Sequence, residues 1–496
     1  MERMASENEA LAPGRNCWRI ERATRATVII DAADYFEAAR AAMLAAEQRI
    51  MLIGWDFDAR IRIGSDEDAM PATIGDFILE LVKQRLELNV YLLRWDVGAV
   101  KALFRGTTPL TVLRWELNDR IHVKLDGAHP PGASHHQKIV VVDDCFAFCG
   151  GIDMTSERWD RREHQDGDEG RIGPTGKPYG PWHDATMALE GPIAAALGEL
   201  ARERWKLAGG KAVGEPVRRE GNCWPKGLGV QFEQVDVAIS RTHPLHGESA
   251  EIREIEALYL DLIAKAKRHI YAESQYFASR KIAEAIARRL DEPDGPEIVL
   301  VNPEQADGWL EQTAMDTARA RLHEALRRRD VHGRFRLYHP FTEGGEAIYV
   351  HAKIMVIDDR ILRVGSSNMN NRSLGLDTEC DVTIDASRCA DGKASETIRE
   401  TRDGLLAEHL GAEPAAVAAA IDETGSLIQA IERLRGPGRS LRPYERPDLS
   451  DIETYLADHE VLDPEGPEEM FEAIGGRGLF RRLRGTFHSP RFNLKE

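Results

Sequence analysis

Helical and extended hydrophobic patterns alternate along the chain in two blocks of the same order. In the first block a short apolar run at 27–30 reads as a strand. DYFEAARAAMLAAEQR at 34–49 has apolar residues at helical spacing among strong helix formers, and so predicts a helix. A strand over 50–57, a helix over about 74–87 and a strand over 89–93 follow. Residues 99–119 read as helical in part, and 121–125 as another strand. The second block predicts a helix over 254–269, a strand over 270–277 and a helix over about 280–290. It continues with a strand over 297–301, a helix over about 307–329 and a strand over 335–338. Ile270 lies 220 positions after Ile50, which marks a diverged internal duplication. Such alternation predicts an α/β fold with a mixed, mostly parallel sheet flanked by helices in each half. A stretch rich in Gly, Pro and charge at about 210–228 divides the halves.

Each block ends on the same spelling. HQKIVVVD at 136–143 and HAKIMVID at 351–358 both read H-x-K-x4-D, 215 positions apart. In an extended strand residues i and i+2 share a face, so each copy presents an imidazole and an ammonium side by side. The apolar, β-branched run between Lys and Asp has the character of a strand buried on both faces. Gly150-Gly151 follows the first copy and Gly365-Ser366-Ser367-Asn368 the second. Two imidazoles and two fixed positive charges suit a phosphodiester. One His attacks phosphorus, the other protonates the leaving oxygen, and Lys138 and Lys353 hold the equatorial oxygens. The candidate catalytic set is therefore His136, Lys138, Asp143, His351, Lys353 and Asp358. After each copy a further strand carries an acid, Asp184 in the first half and Glu379 in the second. A carboxylate there can accept the second ring N–H of a catalytic His and fix its tautomer, so both are candidate histidine-orienting residues. From His to acid the spacing is 48 in the first half and 28 in the second. The extra 20 residues match a polar, Gly-rich loop at 161–180, expected beside the pocket, where it shapes substrate entry or is a mobile insertion.

Composition narrows the partners. The chain of 496 residues carries a formal net charge of −18, and its mean hydropathy is −0.40. That negative balance argues against sequence-independent nucleic-acid binding, which rests on Lys and Arg. Six cysteines (Cys17, Cys145, Cys149, Cys223, Cys380 and Cys389) show no C-x-x-C spacing, so free thiols in a reducing compartment are expected. Cys145 and Cys149 read as core thiols, not as metal ligands. No run approaches the ~18 apolar residues of a membrane span, and the first sixteen residues lack the apolar core of a Sec-type signal. A cytoplasmic or peripheral membrane protein is expected, with export without a cleavable signal as the alternative. Since lysines supply the positive charge at the site, neither metal nor cofactor is expected. The tail from 413 to 496 reads as a separate extension, with helical stretches at about 416–434 and 450–458 and a Pro-rich linker between them. Its basic end, GGRGLFRRLRGTFHSPRF, reads as a surface helix or disordered end, with contact to anionic lipid headgroups as the alternative.

The duplicated H-x-K-x4-D motif resembles the hallmark of the phospholipase D superfamily. GGIDMTSERWD (150–160), PWHDATMALEGP (181–192), HIYAESQYF (269–277), the run from 350 to 380 and LLAEHLG (405–411) resemble signatures of its eukaryotic-type branch. The resemblance implies two pseudo-symmetric lobes, here 1–215 and 228–412, with phosphodiesterase segments at about 130–157 and 346–373. It implies one active site at the lobe interface and a phosphohistidine intermediate released by water or by an alcohol. It implies His136 as nucleophile, His351 as general acid then base, and Lys138, Lys353 and Asn368 as phosphate binders. Asp143 and Asp358 are motif markers, expected to support their strands. Asp153 stands where an Asn would pair with Asn368; an ionised Asp does not donate, so it is not assigned to phosphate. The calcium-dependent lipid-binding domain of plant-type members is not expected before the first lobe. The implied activity is hydrolysis of a phosphatidylcholine-like glycerophospholipid to phosphatidic acid by a monomer at a membrane surface. The alternatives are a phosphatidyltransferase of the cardiolipin synthase or phosphatidylserine synthase kind and, further off, a nuclease of the superfamily.

Overall fold

The structure, a computed structural model, describes residues 9–96, 108–217, 222–305, 309–389 and 392–445. The first half contributes β1 (Arg19–Ile30), β2 (Arg49–Gly54), β3 (Asn89–Trp95), β4 (Ile121–Asp126), β5 (Ile139–Val142), β6 (Phe146–Gly150), β7 (Trp182–His183) and β8 (Ala185–Glu190). The second half contributes β9 (Phe232–His243), β10 (Ile252–Arg253), β11 (His269–Glu273), β12 (Glu297–Val301), β13 (Phe335–Phe341), β14 (Tyr349–Val350), β15 (Ile354–Ile357), β16 (Ile361–Gly365), β17 (Glu379–Asp385) and β18 (Ser440–Pro443). Helices Ala32–Ala45, Ile74–Gln84 and Thr108–Glu116 stand between the first four strands. Glu254–Lys265, Arg280–Leu290 and Trp309–Arg329 do the same from β10 to β13. The starts of the helical stretches expected at 99–119 and about 307–329 fall partly outside the described residues.

One 16-stranded sheet runs through both halves in the order β18-β13-β12-β11-β15-β16-β17-β9-β1-β8-β6-β5-β2-β3-β4, with β10 on β9. Parallel pairing in it is confined to β2–β3–β4 and β11–β12–β13. The other pairs are antiparallel, so the expected mostly parallel sheet in each half is corrected to a mostly antiparallel one. The reason is the connections. Parallel neighbours need a crossover, which the helices supply only in the first part of each half. From each motif strand onward the chain turns by hairpins. Asp143 and Asp144 (φ 50° and 52°) and Asp358 and Asp359 (φ 52° and 53°) are the central pairs of these turns. Positive φ at both central residues is the type I′ geometry, whose twist matches the flanking strands.

Helices Pro192–Leu207 and Lys393–Leu410 pack on one face of the sheet, in one apolar cluster spanning both halves. Helices Ala32–Ala45 and Ile74–Gln84 cover the opposite face of the first half, and Glu254–Lys265 and Arg280–Leu290 that of the second. Every residue of β5 and β15 is buried, so the motif strands are gripped from both faces. The tail is less separate than expected. Helices Pro414–Thr424 and Leu427–Leu434, broken at Gly425, join the common core. The Pro-rich stretch supplies β18, antiparallel to β13 at the sheet edge, where Pro443 is tolerated. The expected helix at 450–458 and the basic end lie outside the described residues.

The expectation of free thiols throughout is also corrected. Cys145, beside the β5–β6 turn, forms a disulfide with Cys223, 78 positions away in the stretch between the halves. Cys17, Cys149, Cys380 and Cys389 are free. Spacing could not signal this pair, because a bond needs proximity in space. No helix among the described residues is long and apolar enough to cross a membrane.

Candidate active site

The segment just before each motif strand runs alongside the other half. His136 N donates to Thr378 O (2.9 Å), while His351 N donates to His183 O (2.7 Å). β7 and β14 pair in parallel across the lobes. This backbone exchange sets the side chains crosswise. His136 Nδ1 lies 3.0 Å from both carboxylate oxygens of Glu379, in the second half. His351 Nδ1 lies 2.6 Å from Asp184 Oδ2, in the first. Each imidazole is thus held through Nδ1, leaving Nε2 free. Ser366 and Ser373 hydroxyls donate to Glu379 (2.5 and 2.7 Å), and Ala185 N donates to Asp184 Oδ1 (2.8 Å). A Cβ on Gly151 would fall 2.2 Å from Asp184 Oδ1, so only glycine lets the carboxylate lie there. The side chains of His136 and His351 keep 15% and 8% exposure, a narrow opening to both rings.

Both lysines fold back on the histidine two residues before. Lys138 Nζ donates to His136 O (3.0 Å) and Lys353 Nζ to His351 O. Their other partners differ. Lys138 forms a buried ion pair with Asp153 (3.2 Å). Lys353 has instead the neutral Gln275 Oε1 at 3.5 Å, an oxygen that Asn368 Nδ2 also reaches at 3.5 Å. Burial pushes Lys353 down to about 7, with Asp184 pulling the other way. Burial, then Lys138 and Lys353, hold the His136 imidazole well below its ordinary range. Burial, then Lys353, Arg158 and Lys138, do the same to His351. Cations of both halves therefore bear on both rings and disfavour their protonation. Burial pushes Glu379 and Asp184 up, against the nearby lysines.

The structure brings His136, Lys138, Asp184, His351, Lys353, Asn368 and Glu379 together. It does not bring Asp143 and Asp358 there, so their place in the catalytic set is corrected. They sit at the far ends of β5 and β15. Asp143 accepts from the backbone N–H groups of Glu47, Gln48 and Arg49 (2.7, 2.8 and 2.7 Å). Asp358 accepts from those of Lys267, Arg268 and His269 (2.7, 2.7 and 3.0 Å). Each carboxylate ties the strand end to the preceding helix–strand turn. Sequence reasoning missed Gln275, the two serines on Glu379, and the aromatic rings beside the histidines. Trp182 lies 5.2 Å from His351 and stacks on Tyr349 at 4.6 Å; Trp55 lies 6.4 Å from His136 and stacks on Trp95 at 5.7 Å. Gln275 lies 220 positions after Trp55, a different residue type, so the duplication offset carried no signal for it. The loop at 161–180 is tied down across the halves. Arg162 pairs with Glu408 (2.6 Å) and Gly344 N donates to Asp166 (2.7 Å). Part of the loop lines a groove of about 1140 Å³ on the first half, away from the histidines.

A family model described as "Phospholipase D" matches residues 42–284, and one described as "Cardiolipin synthase, PLD-like domain" matches 259–400. A phospholipase D A of Dictyostelium discoideum is 24% identical over 461 residues, covering 78% of this chain and 35% of its own length. A phospholipase D alpha 1 of Carica papaya is 24% identical over 504 residues, covering 74% of this chain and 62% of its own. The chain thus spans less than two-thirds of either relative. The solved structure of phosphatidylserine synthase from Haemophilus influenzae Rd KW20 superposes with a TM-score of 0.53 at 12% identity, covering 93% of this chain and 94% of that one. That likeness is one of fold.

Proposed function

The chain belongs to the phospholipase D superfamily, and on that premise we propose that it is a phosphodiesterase cleaving a phosphatidylcholine-like glycerophospholipid to phosphatidic acid and free headgroup. The observation that carries the reading is the crosswise pairing of His136 with Glu379 and of His351 with Asp184 beside two buried lysines.

His136 is the nucleophile. It is neutral, and Nδ1–H donates to Glu379, so the Nε2 lone pair attacks phosphorus. Lys138, Lys353 and Asn368 hold the phosphate oxygens. The anionic phosphate between the lysines offsets the charges that depress His351 and lets its Nε2 carry a proton. That proton passes to the headgroup oxygen as the P–O bond breaks, a step worth roughly 10²–10⁴-fold. Phosphatidyl-His136 and a free headgroup alcohol result. Water then gives a proton to His351 Nε2 while its oxygen attacks phosphorus. The P–N bond breaks, and phosphatidic acid leaves with both histidines restored. An alcohol in place of water gives a phosphatidyl alcohol. The Trp182–Tyr349 stack beside the leaving-group histidine offers π faces for a quaternary ammonium, and Arg158 already rests 4.1 Å over Trp182.

The match of 259–400 to a model described as a cardiolipin synthase domain favours one second reading, a phosphatidyltransferase with an alcohol acceptor. Incubation with mixed phospholipid vesicles and a primary alcohol, followed by mass spectrometry, tests both. Phosphatidic acid with phosphatidyl alcohol, lost in His136→Ala and His351→Ala, supports the hydrolase. Phosphatidyl alcohol without phosphatidic acid supports the transferase. Untouched lipid beside cleaved DNA refutes both.

A further inference from the structure

Behind the His351–Asp184 pair lies a second constellation that the proposed reaction does not use. Asp31, His164, His183 and Glu408 are buried, and one ligand-type atom of each lies within 4.8 Å of all the others. They come from four distant places in the chain: the end of β1, the 161–180 loop, β7 and helix Lys393–Leu410. We propose that these four side chains form a binding site for one divalent transition cation of the Zn²⁺ class.

The first argument is the distances. His183 Nδ1 lies 2.7 Å from Glu408 Oε1 and 3.2 Å from Asp31 Oδ1. His164 Nε2 lies 3.2 Å from Glu408 Oε1 and 3.6 Å from Asp31 Oδ2. Tetrahedral zinc with bonds of about 2.0–2.2 Å needs donor atoms roughly 3.3 Å apart, close to these four separations. The second argument is the outer nitrogen of each ring. His164 Nδ1 is 2.8 Å from Asp160 Oδ2, and His183 Nε2 is 2.7 Å from Glu273 Oε2. A carboxylate on the far nitrogen fixes the tautomer and turns the near lone pair inward, as metal-ligating histidines require. The third is what stays unmet. Asp31 Oδ2 is fully buried and makes no hydrogen bond. Two guanidiniums, Arg162 and Arg171, pair with this group of four carboxylates (Asp31, Asp160, Glu273 and Glu408). Two nitrogen donors among the four select against Mg²⁺ and Ca²⁺.

The site is a brace, not a reaction centre. Asp31 N donates to Asp184 O (2.8 Å) and Asp184 N to Asp31 Oδ1 (3.0 Å), so the cation would stiffen the turn that carries the partner of His351.

The chain is purified with Zn²⁺, passed over a chelating resin, and read by elemental analysis, thermal melting and zinc K-edge absorption. The expected result is about one zinc per chain with a first shell of N and O only, and a melting midpoint about 5 °C lower after EDTA. Asp31→Asn and His164→Gln should each drop zinc to about a tenth per chain, while Cys17→Ser with Cys389→Ser keeps it. Zinc-free wild type with a midpoint insensitive to EDTA overturns the proposal. So does sulfur in the first shell, or full zinc in both ligand variants. If the variants do not fold, the wild-type stoichiometry and absorption spectrum still decide.

Discussion

Lys353 makes the sharpest demand on the reaction. Burial holds its ammonium at about 7, against about 10.4 for an exposed lysine. Among the described residues its contacts are the carbonyl oxygens of His351 and Gln275, with no carboxylate in reach of an ion pair. Only the charged form can hold a phosphate oxygen. In the free enzyme kcat/KM should therefore fall above pH 7, by about tenfold at pH 8 and a hundredfold at pH 9, or 1.36 kcal/mol per unit. Histidine titration lies far from this limb, because both imidazoles are depressed well below 6.5. The same depression acts on stability with a definite sign. Between about 7 and 10.4 the unfolded chain binds the proton that the native chain has lost, so stability rises with pH there. Below about 7 both states hold the proton, and the native state bears the full burial cost, on the order of 4 kcal/mol. The assay is kcat/KM on a soluble phosphodiester from pH 5 to 10, with the inhibition constant of sulfate, whose charge is constant over that range. Lys353→Arg should flatten the basic limb of both, since a guanidinium stays charged, although the plateau falls because the fork does not replace an ammonium. A basic limb above pH 9, or one unchanged in Lys353→Arg, refutes the reasoning.

Four further outcomes are expected. Asp184→Asn and Glu379→Gln should each cut kcat by about 10³–10⁴ with little change in KM, since each leaves its histidine in the wrong tautomer; stopped-assay kinetics check it. Asp153→Asn removes the counter-ion of Lys138 and one carboxylate that supports the charge on Lys353, so the basic limb should move below about 7 and sulfate should bind more tightly at pH 6. Asp143→Ala removes three backbone hydrogen bonds far from the histidines and should cost about 2–4 kcal/mol in urea unfolding while kcat stays within about twofold. Reduction of the Cys145–Cys223 bond, or Cys145→Ser, frees a 78-residue loop and should lower stability by about 2–4 kcal/mol without changing the pH profile.

The chemistry of the site was legible because it is local. His and Lys two apart before an apolar run spell the same message twice, and the helices and parallel strands before each copy follow from periodicity. What was not legible depends on pairing between distant segments. β1 was read only over its last four residues and β9 not at all, because RIERATRATVII and FEQVDVAISRTH mix charge into strands whose outer ends stay wet. The antiparallel order of β5, β6 and β8 escaped for the same reason. Helix–strand alternation signals crossovers, but the Asp-Asp turns that reverse the chain carry no Gly and look like ordinary polar residues. The Cys145–Cys223 bond joins a hairpin to the stretch between the halves, which only the fold brings together. Asp184 and Glu379 could be picked out as acids in equivalent strands, yet which histidine each one serves is a fact of the sheet.

That crosswise service explains why one continuous sheet, and not two separate ones, is what the chain builds. Neither half contains a complete histidine–carboxylate pair. His136 waits for Glu379, and His351 for Asp184. Both carboxylates are buried with raised proton affinity, and burial of an unpartnered charge costs several kcal/mol. Each half alone would therefore bury an acid without its imidazole, and it would expose the backbone groups that His136 and His351 satisfy across the interface. The antiparallel pair β1–β9 settles this by closing the two halves edge to edge with two 12-residue strands. The symmetry of the assembly then breaks where the phosphate must sit. Asp153 forms an ion pair with Lys138, whereas Lys353 meets the neutral Gln275 instead. A site with both lysines paired would have little pull on an anion, and one with neither paired would cost more burial of like charge. One of each leaves the Lys353 ammonium without an ion-pair partner beside the two imidazoles, where an anionic phosphodiester oxygen can meet it.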